Sequence, residues 1–181
     1  MLTVILTGGA SRRMGRDKAM LPSGSTTMAL MLAENYKALG PVALSVDRPG
    51  RFPAGNYREL ADRYPGCGPL NGLVSAFLDT DEDVVFLTAT DMPGGDTAAV
   101  RELMDALGTY DACIYEREPL FGVYRRSCLD TAQKCLQEGE YAFRKFLRRV
   151  NVNVLPLRRE EITENLNTPE EYEAYIRRNL K

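Results

Sequence analysis

The sequence predicts an α/β fold with a mainly parallel sheet covered by helices on both faces, on three observations. Leu2 to Leu6, Val42 to Val46 and Val84 to Thr88 are short and apolar almost throughout, the pattern of strands buried on both sides. They alternate with longer segments of helical periodicity, the spacing of strand-helix-strand units. At 181 residues, 44% of them apolar, the chain is long enough to bury a full core and cramped for two. Residues 1–181 therefore read as a single domain, with no internal repeat, low-complexity tract or linker.

The elements follow in order. The strand Leu2–Leu6 gives way to Thr7-Gly8-Gly9 and a polar loop reaching about Leu21. A helix is expected from Thr26 to Leu39, with apolar residues at 28, 30 to 33, 36 and 39, ended by Gly40-Pro41. Val42–Val46 is the second strand, and Tyr57–Ala61 is a short one leading into Asp62. The turn-rich PGCGP segment feeds a helix from about Leu70 to Leu78, and Val84–Thr88 ends in ATDMP. Asp96 is placed to N-cap a helix over Thr97–Leu107. Ala112–Tyr115 and Leu120–Tyr124, joined by the charged EREP turn, form a small β-ribbon added to the sheet. Helices Leu129–Gln137 and Tyr141–Val150 and a strand Asn153–Leu157 come next. Thr168-Pro169-Glu170-Glu171 starts a last helix that runs to the C-terminus, with Thr as cap, Pro in the first position and acid in the first turn.

Composition excludes several classes of function. A formal net charge of −2 gives the molecule no electrostatic reason to bind nucleic acid or a membrane surface. No apolar run approaches the roughly 20 residues of a membrane span, and Met1–Thr7 lacks the basic flank and length of a signal segment, so a cytoplasmic location is expected. Cys67, Cys113, Cys128 and Cys135 form no CxxC pair and are expected to be reduced thiols, with Cys128 and Cys135 spaced to share one buried helix face. Histidine is absent. Catalysis must then rest on carboxylates, lysine, arginine, backbone amides or a hard metal ion.

Ligands of open parallel sheets bind beyond the carboxyl ends of the strands, which singles out TGGASRRMGRDK, Asp47-Arg48, Asp62 and TATDMP. The first of these fails both common phosphate motifs. Gly9 to Gly15 encloses five residues and is followed by Arg16, so it is no Walker A loop, and GxGxxG is absent. What remains is a long loop in which Gly8, Gly9 and Gly15 permit unusual backbone angles, while Arg13 and Lys18 offer charge to a triphosphate. A tight strand-to-helix turn with a solvated basic face is the alternative. Asp91 is either a hard oxygen ligand for Mg²⁺ or a turn aspartate, and Asp62 either a ligand-facing acid or an exposed one in the ADR turn.

LTGGASRRMGRDKAML closely resembles the signature LAGG-x-S/A-x-RMG-x-DK-x-x-L of the molybdenum cofactor guanylyltransferase (MobA-like) family of nucleotidyltransferases. ADRYPGCGPLNGL, VVFLTATDMP, EPLFGVYRRS and NLNTPEEY resemble further segments of that family, in the same order, so the resemblance spans nearly the whole chain. It implies a three-layer α/β/α, Rossmann-like nucleotidyltransferase fold, GTP and the molybdopterin cofactor as substrates, and Mg²⁺ as cofactor. The implied reaction is transfer of GMP from GTP to the phosphate of molybdopterin, with release of pyrophosphate. At 181 residues there is little room for an accessory domain, so delivery of the cofactor by contact with other molybdenum cofactor synthesis proteins is an expectation.

The resemblance also implies roles. Leu6, Thr7, Gly8 and Gly9 would contact base and ribose and open the phosphate loop. Lys18, with Arg13 as a second cation, would neutralise the phosphates, and Asp91 would bind Mg²⁺. Asp62 would contact the nucleotide. Asp47 departs from the family, which commonly has asparagine in an S-x-NR segment where this chain reads SVDR. A carboxylate there can accept from guanine N1–H and the 2-amino group together, or mark a different base preference. Asn165 and Asn167 would lie toward the acceptor, or serve as helix caps. Sister functions on the same fold are transfer from CTP, transfer to a sugar or polyol phosphate, and nucleotide binding without turnover. Retention of both Lys18 and Asp91 argues against the last.

Overall fold

The computed structural model describes residues 1–8, 17–53, 55 and 57–179. In chain order, β1 (Leu2–Leu6) is followed by β2 (Pro22–Ser23), β3 (Thr26–Thr27), α1 (Met28–Tyr36), β4 (Val42–Val46) and β5 (Arg58–Ala61). Next come α2 (Pro69–Asp79), β6 (Val84–Ala89), α3 (Thr97–Leu107), β7 (Ala112–Tyr115) and β8 (Glu118–Arg125). The chain ends in α4 (Leu129–Gln137), α5 (Phe143–Leu147), β9 (Val152–Leu155) and α6 (Pro169–Asn179).

The main sheet has the order β5-β4-β1-β6-β8-β7-β9. β5, β4, β1 and β6 are mutually parallel, β8 runs antiparallel to both β6 and β7, and β9 pairs parallel with β7. This is the expected mainly parallel sheet. The β7–β8 ribbon is indeed added to it, but β9 extends the sheet beyond the ribbon. β1, β4 and β6 are buried at every position, as their apolar sequences require when helices cover both faces. Phe121 and Tyr124, three residues apart on β8, point to opposite sides. Phe121 stacks edge-on with Phe86, which in turn meets Tyr36 of α1, and Tyr124 packs against Phe143 and Phe146 of α5. The three-layer arrangement is thus built from one parity of β8 on each side.

Several boundaries differ from expectation. The helix expected from Thr26 begins at Met28, because Thr26 and Thr27 pair antiparallel with Ser23 and Pro22 in a separate two-stranded sheet. Consecutive β-branched threonines suit that extended geometry, and Thr27 then becomes the N-cap, accepting from Leu30 N–H. The same helix finishes in a 3₁₀ turn over Lys37–Leu39. Tyr141–Val150 is helical only over Phe143–Leu147, since Ala142 is extended. The last strand closes at Leu155, ahead of Pro156, which cannot donate to a ladder. β8 begins two residues earlier than expected, at Glu118. Among the described residues no helix is long and apolar enough to cross a membrane. All four cysteines are free thiols, and burial pushes Cys113 up to about 11 and Cys128 up to about 12.

Candidate active site

Three backbone hydrogen bonds carry the sheet one residue past its strands. Thr7 N–H donates to Ser45 C=O at 3.2 Å, Thr90 N–H to Leu6 C=O at 3.2 Å, and Asp62 N–H to Val46 C=O at 2.9 Å. They gather the residues that follow β1, β4, β5 and β6 at the carboxyl edge of the sheet, where the topology switches direction. A cavity of about 820 Å³ opens there. It is lined by Leu6, Thr7, Gly8, Lys18, Ser45, Asp47, Asp62, Gly66, Gly68, Pro69, Gly72, Ala89, Thr90, Asp91 and Leu120. Seven residues singled out in the sequence, Leu6, Thr7, Gly8, Lys18, Asp47, Asp62 and Asp91, share this wall. Gly9 and Arg13 lie outside the described residues.

At one end Lys18 meets Asp91. Asp17 caps the 3₁₀ turn Lys18–Met20, its Oδ1 accepting from Ala19 N–H at 3.1 Å, and so fixes the root of the Lys18 side chain. Lys18 Nζ donates to Asn167 Oδ1 at 2.9 Å and lies 3.6 Å from Asp91 Oδ2. Asp91 is tied to the closing segment from its other side, where its carbonyl accepts from Leu166 N–H at 2.7 Å. Asn167 is also part of a helix start, because its N–H and that of Thr168 both donate to Glu171 Oε2, while Glu171 N–H donates back to Thr168 Oγ1. This is a capping box. The backbone of Asn167 serves the helix and its side chain serves Lys18.

Asn165 does not line the cavity. Its amide donates to Thr163 C=O at 3.0 Å and also bonds Glu118, which belongs to β8 and not to the EREP turn that the sequence predicts. Glu118 opens β8 opposite Tyr115, across a register irregularity from the regular pairing of Ile114 with Gly122. Burial raises its carboxyl above the usual range, the bond from Asn165 and the charge of Arg144 oppose this, and the nearby Asp91 carboxylate adds to the rise. No alternation in the sequence marks Glu118, because the register irregularity between Glu118 and Gly122 interrupts the period-two pattern.

At the other end Asp62 is half-buried, not the exposed turn acid of the alternative reading. Ser45 Oγ donates to its Oδ1 at 3.3 Å. Burial raises this carboxyl, bonds from Ser45 and Asn71 pull it back, and the Asp47 carboxylate pushes it up again. Two buried polar residues on one face of α2 hold the turn after Asp62: Ser75 Oγ accepts from Arg63 N–H and Asn71 Oδ1 from Tyr64 N–H. Gly66 and Gly68 take positive φ values of 83° and 68°, which lets the PGCGP turn place the N-terminus of α2 against the cavity. Asp47 lies on the exposed rim. The cavity is thus acidic at one end and pairs a lysine with a carboxylate at the other, while the Asn167 amide holds that lysine from outside the lining.

Residues 3–154 match the MobA-like NTP transferase domain. The chain belongs to that family. A MobA-like relative in Carboxydothermus hydrogenoformans, a probable molybdenum cofactor guanylyltransferase, is 34% identical over 97% of this chain and 95% of its own. The solved structure of molybdopterin-guanine dinucleotide biosynthesis protein A from Archaeoglobus fulgidus superposes with a TM-score of 0.81 at 22% identity, covering 96% of each chain. A 2-C-methyl-D-erythritol 4-phosphate cytidylyltransferase from Thermus thermophilus shares the architecture with a TM-score of 0.72 at 13% identity, over 96% of this chain and 98% of its own. At these identities both structures speak to the fold alone. MobA-like membership and these neighbours agree with the three-layer nucleotidyltransferase fold expected from the sequence.

Proposed function

We propose that the protein transfers GMP from GTP to the phosphate of molybdopterin, releasing pyrophosphate and forming the guanine dinucleotide cofactor. The observation that carries this reading is the pairing of Lys18 with Asp91 at one end of a cavity whose other end carries Asp47 and Asp62, with Asn167 holding the lysine from outside the lining. The 34% identical relative with its guanylyltransferase name supports the same reading.

In this reaction an acceptor phosphate oxygen attacks the α-phosphorus of the nucleotide. A new P–O–P bond forms, the α–β bridging bond breaks, and pyrophosphate leaves with the electron pair. A phosphate with a second pKa of about 6 is mostly ionised at neutral pH, so the histidine-free chain need not supply a base. The protein's task is to hold the phosphates in line and neutralise charge as it moves to the leaving group. Lys18, with Arg13, takes the phosphates. Asn167 orients the Lys18 ammonium, and Asn165, through Glu118, shapes the acceptor side.

Asp91 suits Mg²⁺. Among the described residues no group of three or more acidic, cysteine or histidine side chains stands ready to enclose a metal. A single half-exposed carboxylate is what Mg²⁺ takes when phosphate oxygens and water complete its shell. When bound, the ion would neutralise phosphate charge and align the reacting groups. At the base end, the paired acids Asp47 and Asp62 suit guanine, which offers N1–H and an amino group as adjacent donors. Cytosine offers a single donor, its 4-amino group, beside acceptors at N3 and O2, so it cannot give a carboxylate the adjacent pair of donors that guanine gives.

The test is pyrophosphate release with Mg²⁺, molybdopterin and each nucleoside triphosphate in turn. Release with GTP that requires molybdopterin is expected. Release with CTP and none with GTP, or release only with a sugar or polyol phosphate acceptor, overturns the reading.

A further inference from the structure

Arg51 lies in the β4–β5 connection, outside every segment that resembles the family signatures. Its backbone is pinned from behind. Gly50 N–H and Phe52 N–H donate to the two carboxylate oxygens of Glu59 on β5, at 2.5 and 2.7 Å. The buried Phe52 ring lies under the guanidinium, 5.6 Å from its carbon to the ring centroid. From this base the guanidinium forks: Nη1 donates to Thr7 Oγ1 at 2.9 Å and Nη2 to Asp17 Oδ2 at 2.5 Å.

Both acceptors are already committed elsewhere in the site. The Thr7 hydroxyl spends its proton on Ser45 C=O, so its lone pair is turned toward Arg51. Asp17 uses its other oxygen to cap the turn that begins with Lys18. One planar group therefore spans from the end of β1, on the cavity wall, to the cap of the turn that presents the phosphate-facing lysine. With its side chain 18% exposed and that of Asp17 42% exposed, the pair adds little to stability. What the fork supplies is geometry, which a lysine, a single point charge, does not reproduce.

We infer that Arg51 is a positioning residue that sets Lys18 relative to the β1 floor of the cavity, so that its loss weakens binding of the nucleotide's phosphates and leaves binding of its base unchanged. This rests on the nucleotidyltransferase reading of the cavity. Misplacing a charged group by a fraction of an ångström to an ångström costs a large factor in any interaction that needs alignment.

Calorimetric binding of GTP and GMP to wild type, Arg51→Ala, Arg51→Lys and Asp17→Asn, with melting temperatures, tests it. Expected are a roughly tenfold loss of GTP affinity in Arg51→Ala, no restoration in Arg51→Lys, and GMP affinity close to wild type in all three variants. Guanidinium ion at sub-denaturing concentration restores GTP affinity in Arg51→Ala and leaves wild type unaffected. Wild-type GTP affinity in Arg51→Ala overturns the inference, as does an equal loss of GTP and GMP with a lowered melting temperature, which marks a merely structural role. If wild type binds CTP in place of GTP, the same comparison with CTP and CMP decides it, and the base assignment alone falls. If wild type binds no nucleotide, the functional reading falls and this inference with it.

Discussion

Lys18 Nζ donates to Asn167 Oδ1 at 2.9 Å across 149 residues of chain, so the polar loop after β1 and the last segment before α6 meet at one ammonium. Replacing Lys18 with alanine is expected to lower kcat/KM by about a hundredfold or more, the usual scale for a lost charge-stabilising group. Asn167→Ala costs less, about tenfold, because it leaves the charge and loosens its aim. Once Lys18 is gone Asn167 has nothing to orient, so the double variant should resemble Lys18→Ala in initial-rate pyrophosphate assays. Additive losses would separate the two roles.

Asp91→Asn keeps the shape of the side chain and removes its charge. The ion pair with Lys18 joins partly exposed groups, so the melting temperature should move little. Turnover should fall on the order of a hundredfold, with a higher Mg²⁺ requirement, read from rates across a magnesium titration.

Glu118→Gln should change stability as well as activity. Burial raises the Glu118 carboxyl, so the native chain holds the ionised form at a disadvantage that the unfolded chain escapes. The cost is present near neutrality and disappears as pH falls through the folded and then the unfolded carboxylate range. The variant should therefore melt higher than wild type near pH 7, with the advantage shrinking toward pH 4, near the ordinary glutamate value of about 4.3. Activity should fall, because a carboxylate beside Asp91 and Asn165 is lost from the acceptor side. Thermal melts across pH and parallel rate measurements check both halves.

Two glycines separate stability from site shape. A Cβ at Gly94 would stand 1.9 Å from the Glu161 carbonyl oxygen, a backbone atom that cannot step aside, so Gly94→Ala should cost about 2 kcal/mol or more and lower the melting temperature by several degrees. A Cβ at Gly72 would meet the Leu6 side-chain tip at 2.4 Å, and Leu6 can turn toward the cavity. Gly72→Ala should cost about 1 kcal/mol and raise the KM for nucleotide, since the space gained by the methyl is taken from the pocket. Denaturant melts and initial rates distinguish the two.

Much of this was legible in sequence because the causes are local. The apolar runs Leu2–Leu6, Val42–Val46 and Val84–Thr88 can be satisfied only by strands covered on both faces, and Asp96 caps α3 through Ala99 N–H as its position implied. Parallel strands then oblige the residues after their carboxyl ends to share one edge, which brings Thr7, Asp47, Asp62 and Asp91 together. Where short-range preferences were evenly matched, boundaries moved: Thr26-Thr27 became a strand pair, and the Tyr141 segment stayed extended as far as Ala142.

Distance relations were decided only by the tertiary structure. No periodicity announces that Asn167 reaches Lys18, that Asn165 turns away to Glu118, or that Arg51 spans Thr7 and Asp17. Hydrogen bonds and ion pairs act over about 3 Å, whereas the sequence sets only which groups exist and which local element carries each. The sequence by itself determined the fold class, the sheet edge that carries the site and the chemical types gathered there. The packing of α6 and the β4–β5 connection against that edge determined which of those groups touch, because only close approach in space turns a charge into a contact.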